Sequence, residues 1–283
     1  MNILISCDEN YLRPLRVMLV SLFENTKNKY NIYLIHKNIS DKKIEKLEDF
    51  VENISDNKSK LISIKVDALF MGAKTTFYYT EEMYYRLLAY KYLPENLGKI
   101  LYLDPDILVL NSFEKLYNID FKDNLFAAAT HSAPAVQGAN VTRLSLSSGY
   151  DDISNYFNSG ILMINLNLAR ESENYEREVK KYIEESKSFG LLMPDQDLLN
   201  VVFRNNIISI SELEYNYDAR KFLFYKLKNK SWDLSYVMDN TKFLHFCGKR
   251  KPWFDEEYIG IFASLYKYFL KKADRIYKNI EDM

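Results

Sequence analysis

The chain has 283 residues, 47% hydrophobic and 27% charged, and its 38 Lys+Arg against 39 Asp+Glu leave a formal net charge of -1. That length suits one large α/β core, or a core with a small lobe, and a neutral balance gives no reason to expect a nucleic-acid partner. Cys 2 argues against a disulfide framework, and the opening MNILISCDEN meets acidic residues too early for a signal peptide, so a cytoplasmic protein is expected.

Asn2–Ser6 (NILIS) reads as a short apolar strand. After the polar Cys7–Asn10, Tyr11 to Glu24 reads as a helix with Leu12, Leu15, Leu19 and Leu22 on one side. Nucleotide-binding α/β units open in this way, but no Gly-rich fingerprint follows, so neither a dinucleotide crevice nor a P-loop is indicated. Asp8 and Asn10 carry two readings: hydrogen bonds to a base or ribose, or a helix cap. Tyr30–His36 is a second strand, Lys42 to Asn53 a charged helix capped by Ser40 and Asp41, and Leu61–Val66 a third strand. Gly72–Thr80 looks like a loop and Glu81–Tyr92 like a helix, on which Arg86 shares a face with Glu82 and Tyr90. Arg86 either forks onto a phosphate or carboxylate, or is a surface residue paired with Glu82.

The chain is organised around Lys99–Leu110, KILYLDPDILVL, in which seven of twelve residues are Ile, Leu or Val. Those residues read as buried strand on both sides of a break at Pro105, which has no amide hydrogen and disfavours helix at Asp104. Asp104 and Asp106 should then sit at the C-terminal edge of a core strand, where open α/β sheets place their ligands. Two carboxylates beside a core call for a compensating charge, and a hard divalent cation would supply it while keeping positions open for phosphate oxygens. The alternative is a solvated turn with idle acids.

Phe113–Leu116 reads as a helical turn and Leu125–Thr130 (LFAAAT) as a strand of small residues. His131 to Asn155 is polar and too long to be structureless, so it is functional or hides a short helix. Tyr156–Leu166 (YFNSGILMINL) becomes a strand entered through Asn158, Ser159 and Gly160; Gly160 admits a close approach or an unusual dihedral, and Asn158 can serve a sugar hydroxyl. Glu171–Lys187 reads as a charged helix. After Pro194, Asp195, Gln196 and Asp197 look like the first turn of a helix, where carboxylates are favourable on electrostatic grounds alone. Ile207–Ile210 and Leu213–Tyr215 read as edge strands, and the aromatic, basic Asn216–Leu234 suits a smaller lobe.

Phe243–Phe254 (FLHFCGKRKPWF) ends an apolar run at His245, which is either a third ligand to the same cation or a polar residue on a strand edge. Gly248 and the basic Lys249, Arg250 and Lys251 should form a loop suited to a diphosphate. Lys267 to Lys278 is basic, aromatic and amphipathic, so it either touches an anionic bilayer or packs on the domain. The expected division is a catalytic unit over 1–250 and a helical tail over 251–283.

Five stretches in this order, ISCDENY, LYLDPDILV, YFNSGILMINL, PDQDLLN and HFCGKRKPW, resemble the retaining glycosyltransferases of family 8. That family includes bacterial lipopolysaccharide galactosyl- and glucosyltransferases and the glycogenins. The resemblance implies a GT-A type nucleotide-diphospho-sugar transferase fold, a mostly parallel sheet flanked by helices with a small C-terminal helical lobe. It also implies transfer of glucose or galactose from a UDP-hexose donor to a glycan or glycolipid acceptor. Asp104, Asp106 and His245 would hold Mn²⁺, with Mg²⁺ as the alternative, and Pro105 lies between the two acids. Asp8 and Asn10, with the backbone near Ser6, would hold uracil and ribose. Arg86, Asn158, Asp195 and Gln196 would hold the hexose, and Gly248 and Lys251 the diphosphate. His131 stands where the galactosyltransferase branch carries an acid, and Ser132–Ser154 is individual to this chain. Rival readings are a non-catalytic UDP-sugar or glycan-binding protein of the same fold, and a metal-dependent nucleotidyltransferase. Peripheral contact with the inner membrane face through the tail is a further expectation.

Overall fold

A computed structural model describes residues 1–66, 82–130, 134–148, 154–185, 194–254 and 257–282. Its first half alternates strand and helix: β1 (Asn2–Ser6), α1 (Leu12–Asn25), β2 (Asn31–His36), α2 (Asp41–Ile54), β3 (Lys60–Lys65), α3 (Glu82–Leu88) and β4 (Lys99–Leu103). There follow β5 (Ile107–Val109), α4 (Glu114–Tyr117), β6 (Phe126–Thr130), α5 (Pro134–Ser148), β7 (Phe157–Asn165), α6 (Leu166–Glu171), α7 (Tyr175–Glu185) and α8 (Pro194–Val202). The C-terminal part holds β8 (Ile207–Ile210), α9 (Glu212–Tyr215), β9 (Tyr217–Asp218), α10 (Phe222–Lys228), α11 (Leu234–Asn240), β10 (Phe243–His245) and α12 (Ala263–Glu281).

The main sheet runs β3-β2-β1-β4-β7-β6-β8 and is parallel except for β7, which lies antiparallel to both β4 and β6. Its strands alternate between two buried faces. Ile3, Ile5, Leu101 and Leu103 face the side of α1 and α2, whereas Leu4, Ile100 and Tyr102 face the side of α3, α7 and α8. The expected mostly parallel α/β sheet is therefore present, with period-2 strands buried on both sides.

Pro105 breaks the central stretch as its chemistry requires. Asp104 still bonds the main sheet, its amide donating to the Gly160 carbonyl at 2.8 Å. Two residues later the Asp106 carbonyl accepts from the Phe246 amide at 3.0 Å, and β5 joins a second sheet of order β5-β10-β9. Missing its own N–H, Pro105 is the point where one ladder can end and the next begin. Asp104 and Asp106 thus stand at the C-terminal end of β4, between the two sheets.

Several local expectations need correction. Leu213–Tyr215 is not a strand: Ser211 caps α9, its Oγ accepting from the Glu214 amide at 3.3 Å, with Glu212 and Glu214 in the first turn. The segment after His131 hides a helix, but α5 has 15 residues, and of its described side chains only Leu144 is fully buried, so its apolar periodicity is faint. The charged helix expected over Glu171–Lys187 is α7, which starts later at Tyr175, while Glu171 ends the separate α6; Asn165 caps α6, accepting from the Leu168 amide at 3.2 Å. Asn158, Ser159 and Gly160 lie inside β7 rather than before it. Ser40 is the residue before α2, but its side chain makes no cap bond. Gly72–Thr80, His131 and Leu191–Met193 fall outside the described residues.

The amphipathic tail is α12, and it packs on the body of the protein. Tyr266, Phe269 and Ala273 are buried, Arg13 forks onto Asp274, and Tyr277 meets Phe50 with the Arg16 guanidinium over its ring. Among the described residues no helix is long and apolar enough to cross a membrane.

Candidate functional site

Three acid–base side chains converge at the seam between the sheets. Oxygens of Asp104 and Asp106 and a ring nitrogen of His245 lie within 4.8 Å of one another. His245 Nε2 is 3.1 Å from Asp106 Oδ1 and 3.8 Å from Asp104 Oδ2. His245 comes from β10, the middle strand of its sheet, and is buried, so it is not a strand-edge residue. Asp106 is 6% exposed, which removes the solvated-turn reading.

The surroundings aim these groups. Asn216 Oδ1 lies 2.8 Å from His245 Nδ1, which assigns a hydrogen to that nitrogen and turns Nε2 toward the carboxylates. A lone pair facing carboxylate oxygens needs a cation between them, either a proton or a metal ion. Two oxygens and one imidazole nitrogen suit a divalent cation with positions left for other oxygens. Gly160 makes room: a Cβ there would stand 2.5 Å from His245 Cε1 and 2.6 Å from Asp104 Oδ2. Its φ is not among the positive ones, so close approach, not an unusual dihedral, explains it.

Charge is balanced locally. Burial raises the Asp104 carboxyl above its usual range, against the pull of Arg86. Burial pushes Asp106 the same way, but the Lys251 ammonium and His245 outweigh it and hold Asp106 below the usual range. For His245, burial lowers the pKa, while Cys247 and Asp106 raise it and prevail. Lys251 Nζ also donates to the Phe246 carbonyl at 2.9 Å, so it is fixed beside the acids on the loop that starts at Gly248. Gly248 has φ +92°, and a Cβ there would meet Arg220 Nη1 at 2.4 Å. Lys249 and Arg250 are exposed.

Arg86 is buried, not a surface residue. It donates to the Ser159 carbonyl at 2.7 Å, pairs with Asp104 at 3.1 Å and reaches Asp195 at 3.7 Å. Asp195 accepts from Ser159 Oγ at 2.7 Å, and Gln196 Oε1 accepts from Asn158 Nδ2 at 3.1 Å. Gln196 Nε2 is buried and makes no full hydrogen bond among the described residues, although its amide lies beside the Tyr156 hydroxyl. A buried amide donor left open costs free energy unless a ligand oxygen fills it. The first turn of α8 and the start of β7 therefore form one polar wall beside the acid–histidine cluster. Asp8 behaves as the bland reading had it: it caps the short turn Glu9–Tyr11 and accepts from the Asn10 side chain at 3.2 Å. Ser6 ends β1, with Oγ 3.3 Å from the Tyr102 hydroxyl.

The sequence assigned no role to Tyr102, Ser159 or Asn216. Tyr102 donates to Asp104 Oδ1 at 2.6 Å, and its ring lies under the Arg86 guanidinium at 4.3 Å. Its place two residues before Asp104 on a strand was a usable signal, since period 2 puts both on one face. Asn216 carries no such signal, because it meets His245 only through the pairing of β9 with β10.

Comparison with known proteins finds relatives along most of the chain. The family profile described as "Glycosyl transferase family 8" matches residues 2–257. A lipopolysaccharide 1,2-glucosyltransferase of Escherichia coli is 30% identical over 249 residues, covering 88% of this chain and 71% of that protein. General stress protein A of Bacillus subtilis is 27% identical, covering 88% of this chain and 86% of its own. In fold, the chain is similar to the galactosyltransferase LgtC, crystallised with donor and acceptor sugar analogues, with a TM-score of 0.78, 21% identity and 96% of each chain covered.

Proposed function

The chain belongs to glycosyltransferase family 8, and on that premise we propose that it moves glucose or galactose from a UDP-hexose to a hydroxyl of a glycan or glycolipid, with retention of anomeric configuration. The observation that carries this reading is the buried meeting of Asp104, Asp106 and His245 beside the polar wall of Arg86, Asn158, Asp195 and Gln196. Asp104, Asp106 and His245 would hold Mn²⁺, or Mg²⁺ in its place. When bound, such an ion supplies positive charge to the diphosphate that leaves.

Each remaining role follows from this chain's own groups. Lys251, fixed at Asp106 on the Gly248 loop, adds a second positive charge where the leaving group's negative charge grows. Asp195 accepts from hexose hydroxyls, and the open Gln196 Nε2 donates to the sugar or its ring oxygen. Arg86 bridges Asp104 and Asp195, tying the acid–histidine cluster to the sugar-facing wall. Ser6, Asp8 and Asn10 lie at the C-terminal end of β1, which suits uracil and ribose; Asp8 would exchange its cap bonds for the nucleoside. Because an amide is a poor nucleophile, Gln196 is assigned a positioning role. The acceptor oxygen then bonds to the anomeric carbon from the leaving-group face as the carbon–oxygen bond to UDP breaks, and its proton passes to a β-phosphate oxygen. Tail contact with an anionic membrane would use the exposed side of α12, since its buried side is engaged by the body of the protein.

The test is Mn²⁺-dependent release of UDP from UDP-glucose or UDP-galactose. Asp104→Asn and Asp106→Asn should each abolish it, and full activity in both would mean the site is misassigned. Release of UMP or pyrophosphate would instead favour a nucleotidyltransferase.

A further inference from the structure

The first turn of α8 is braced from behind by a helix that none of the sequence motifs includes. Asp195 and Gln196 belong to the polar wall, while Asp197, next along the chain, is fully buried and meets Arg143 of α5. Arg143 forks onto it, Nη2 to Oδ1 at 2.6 Å and Nη1 to Oδ2 at 3.0 Å. Tyr156, just ahead of β7, closes the triangle: its hydroxyl donates to Asp197 Oδ1 at 2.6 Å and accepts from Arg143 Nη2 at 3.4 Å. With its amide oriented to match, Gln137 of α5 bonds both the N–H and the carbonyl of Tyr156, at 2.8 and 3.1 Å. One turn along α8, Asn200 bonds the N–H and carbonyl of Phe157 and the carbonyl of Gln196.

These contacts link α5, β7 and α8 rigidly at one place. A planar fork onto a buried carboxylate fixes the carboxylate's orientation as well as its charge. The adjacent peptide carries Gln196, whose side chain has an unfilled donor, and the residue before that is Asp195.

We propose that Arg143 is a positioning residue for donor-sugar recognition. Acting through Asp197, it sets the angle at which α8 presents Asp195 and Gln196. The proposal rests on the reading of those two residues as hexose contacts. It assigns the individual segment between β6 and β7 a share in choosing the sugar, although Arg143 touches Asp197 and Tyr156 and need not touch the sugar itself. Residues expected to meet the nucleoside and diphosphate, Asp8, Asn10 and Lys251, lie on other elements. Loss of Arg143 should therefore separate sugar recognition from nucleotide recognition.

The experiment compares UDP with UDP-glucose and UDP-galactose, all with Mn²⁺, in the full chain and in Arg143→Gln, Arg143→Lys and Tyr156→Phe. By calorimetry, UDP should bind each variant within about twofold of wild type, while kcat/KM for the better UDP-hexose falls roughly tenfold in Arg143→Gln. Lysine should restore part of that loss, because it keeps the charge but not the fork. UDP affinity falling in step with kcat/KM would overturn the proposal, as would an unchanged kcat/KM. Should Arg143→Gln fail to fold, Tyr156→Phe decides: it removes one hydroxyl and should lower kcat/KM about threefold with UDP binding intact, and no change refutes the brace. Wild type separates the two readings. If it turns over neither UDP-hexose, the transferase assignment fails and Arg143 has no sugar to serve; if wild-type turnover survives substitution unaltered, Arg143's role alone fails.

Discussion

Replacing Arg86 with Met should cost more than any other single change at the site that leaves the backbone alone. The guanidinium is 4% exposed and lies 3.1 Å from Asp104 and 3.7 Å from Asp195, so its removal leaves two buried carboxylates short of positive charge. Breaking a buried pair from one side costs about 3–5 kcal/mol, and the Ser159 carbonyl loses its 2.7 Å donor for about 1 kcal/mol more. Asp104, already raised by burial, limits the loss by taking a proton. A net loss of about 3–5 kcal/mol remains, which for a chain of this length lowers the melting temperature by roughly 6–10 °C. The sign with pH follows. In Arg86→Met the folded Asp104 pKa rises further above its unfolded value, so the native state is favoured below that raised pKa and loses stability as pH climbs through it. The gap between wild type and variant should therefore narrow on acidification from pH 7.5 to 5.5. Thermal melts at the two pH values measure both effects. A variant melting within about 2 °C of wild type at pH 7.5 would refute the claim that Arg86 compensates these acids.

Gly160→Ala forces a methyl to within 2.5 Å of His245 and 2.6 Å of Asp104, so it should cost about 1–3 kcal/mol and weaken Mn²⁺ binding, as read by paramagnetic resonance titration. Asn216→Leu frees the His245 ring and should weaken Mn²⁺ binding about tenfold or more in the same titration, with UDP absent. His36 is buried against Ser63 at 2.8 Å and accepts from the Ile39 amide, and burial lowers its pKa. The unfolded chain then takes the proton first, so stability falls as pH drops from about 6.5 through the folded value, and His36→Asn should flatten that part of the melting curve against pH.

Much of the frame was legible in the sequence because local rules govern it. Apolar runs in Asn2–Ser6 and Lys99–Leu103 had to be strands buried on both faces, and Pro105 had to interrupt the ladder. Leu213–Tyr215 misled because two apolar or aromatic positions on either side of Glu214 look alike in a strand and in a capped turn; the Ser211–Glu214 cap was the better signal. Hidden α5 has few buried side chains to announce it, and what holds it is an ion pair to a residue more than fifty positions away.

Which residue types the site would need, two acids, an imidazole and a lysine, was set by the order of residues alone, since each stands at the end of a strand or on a loop that the local pattern defines. What they could do together was decided only by folding. Arg86 reads equally well as a solvated or a buried charge until β4, β7 and α8 close around it, and His245 has no aim until β9 brings Asn216 to its other nitrogen. The reason is physical: burial, tautomer and pKa belong to a side chain's surroundings, and here those surroundings come from distant parts of the chain.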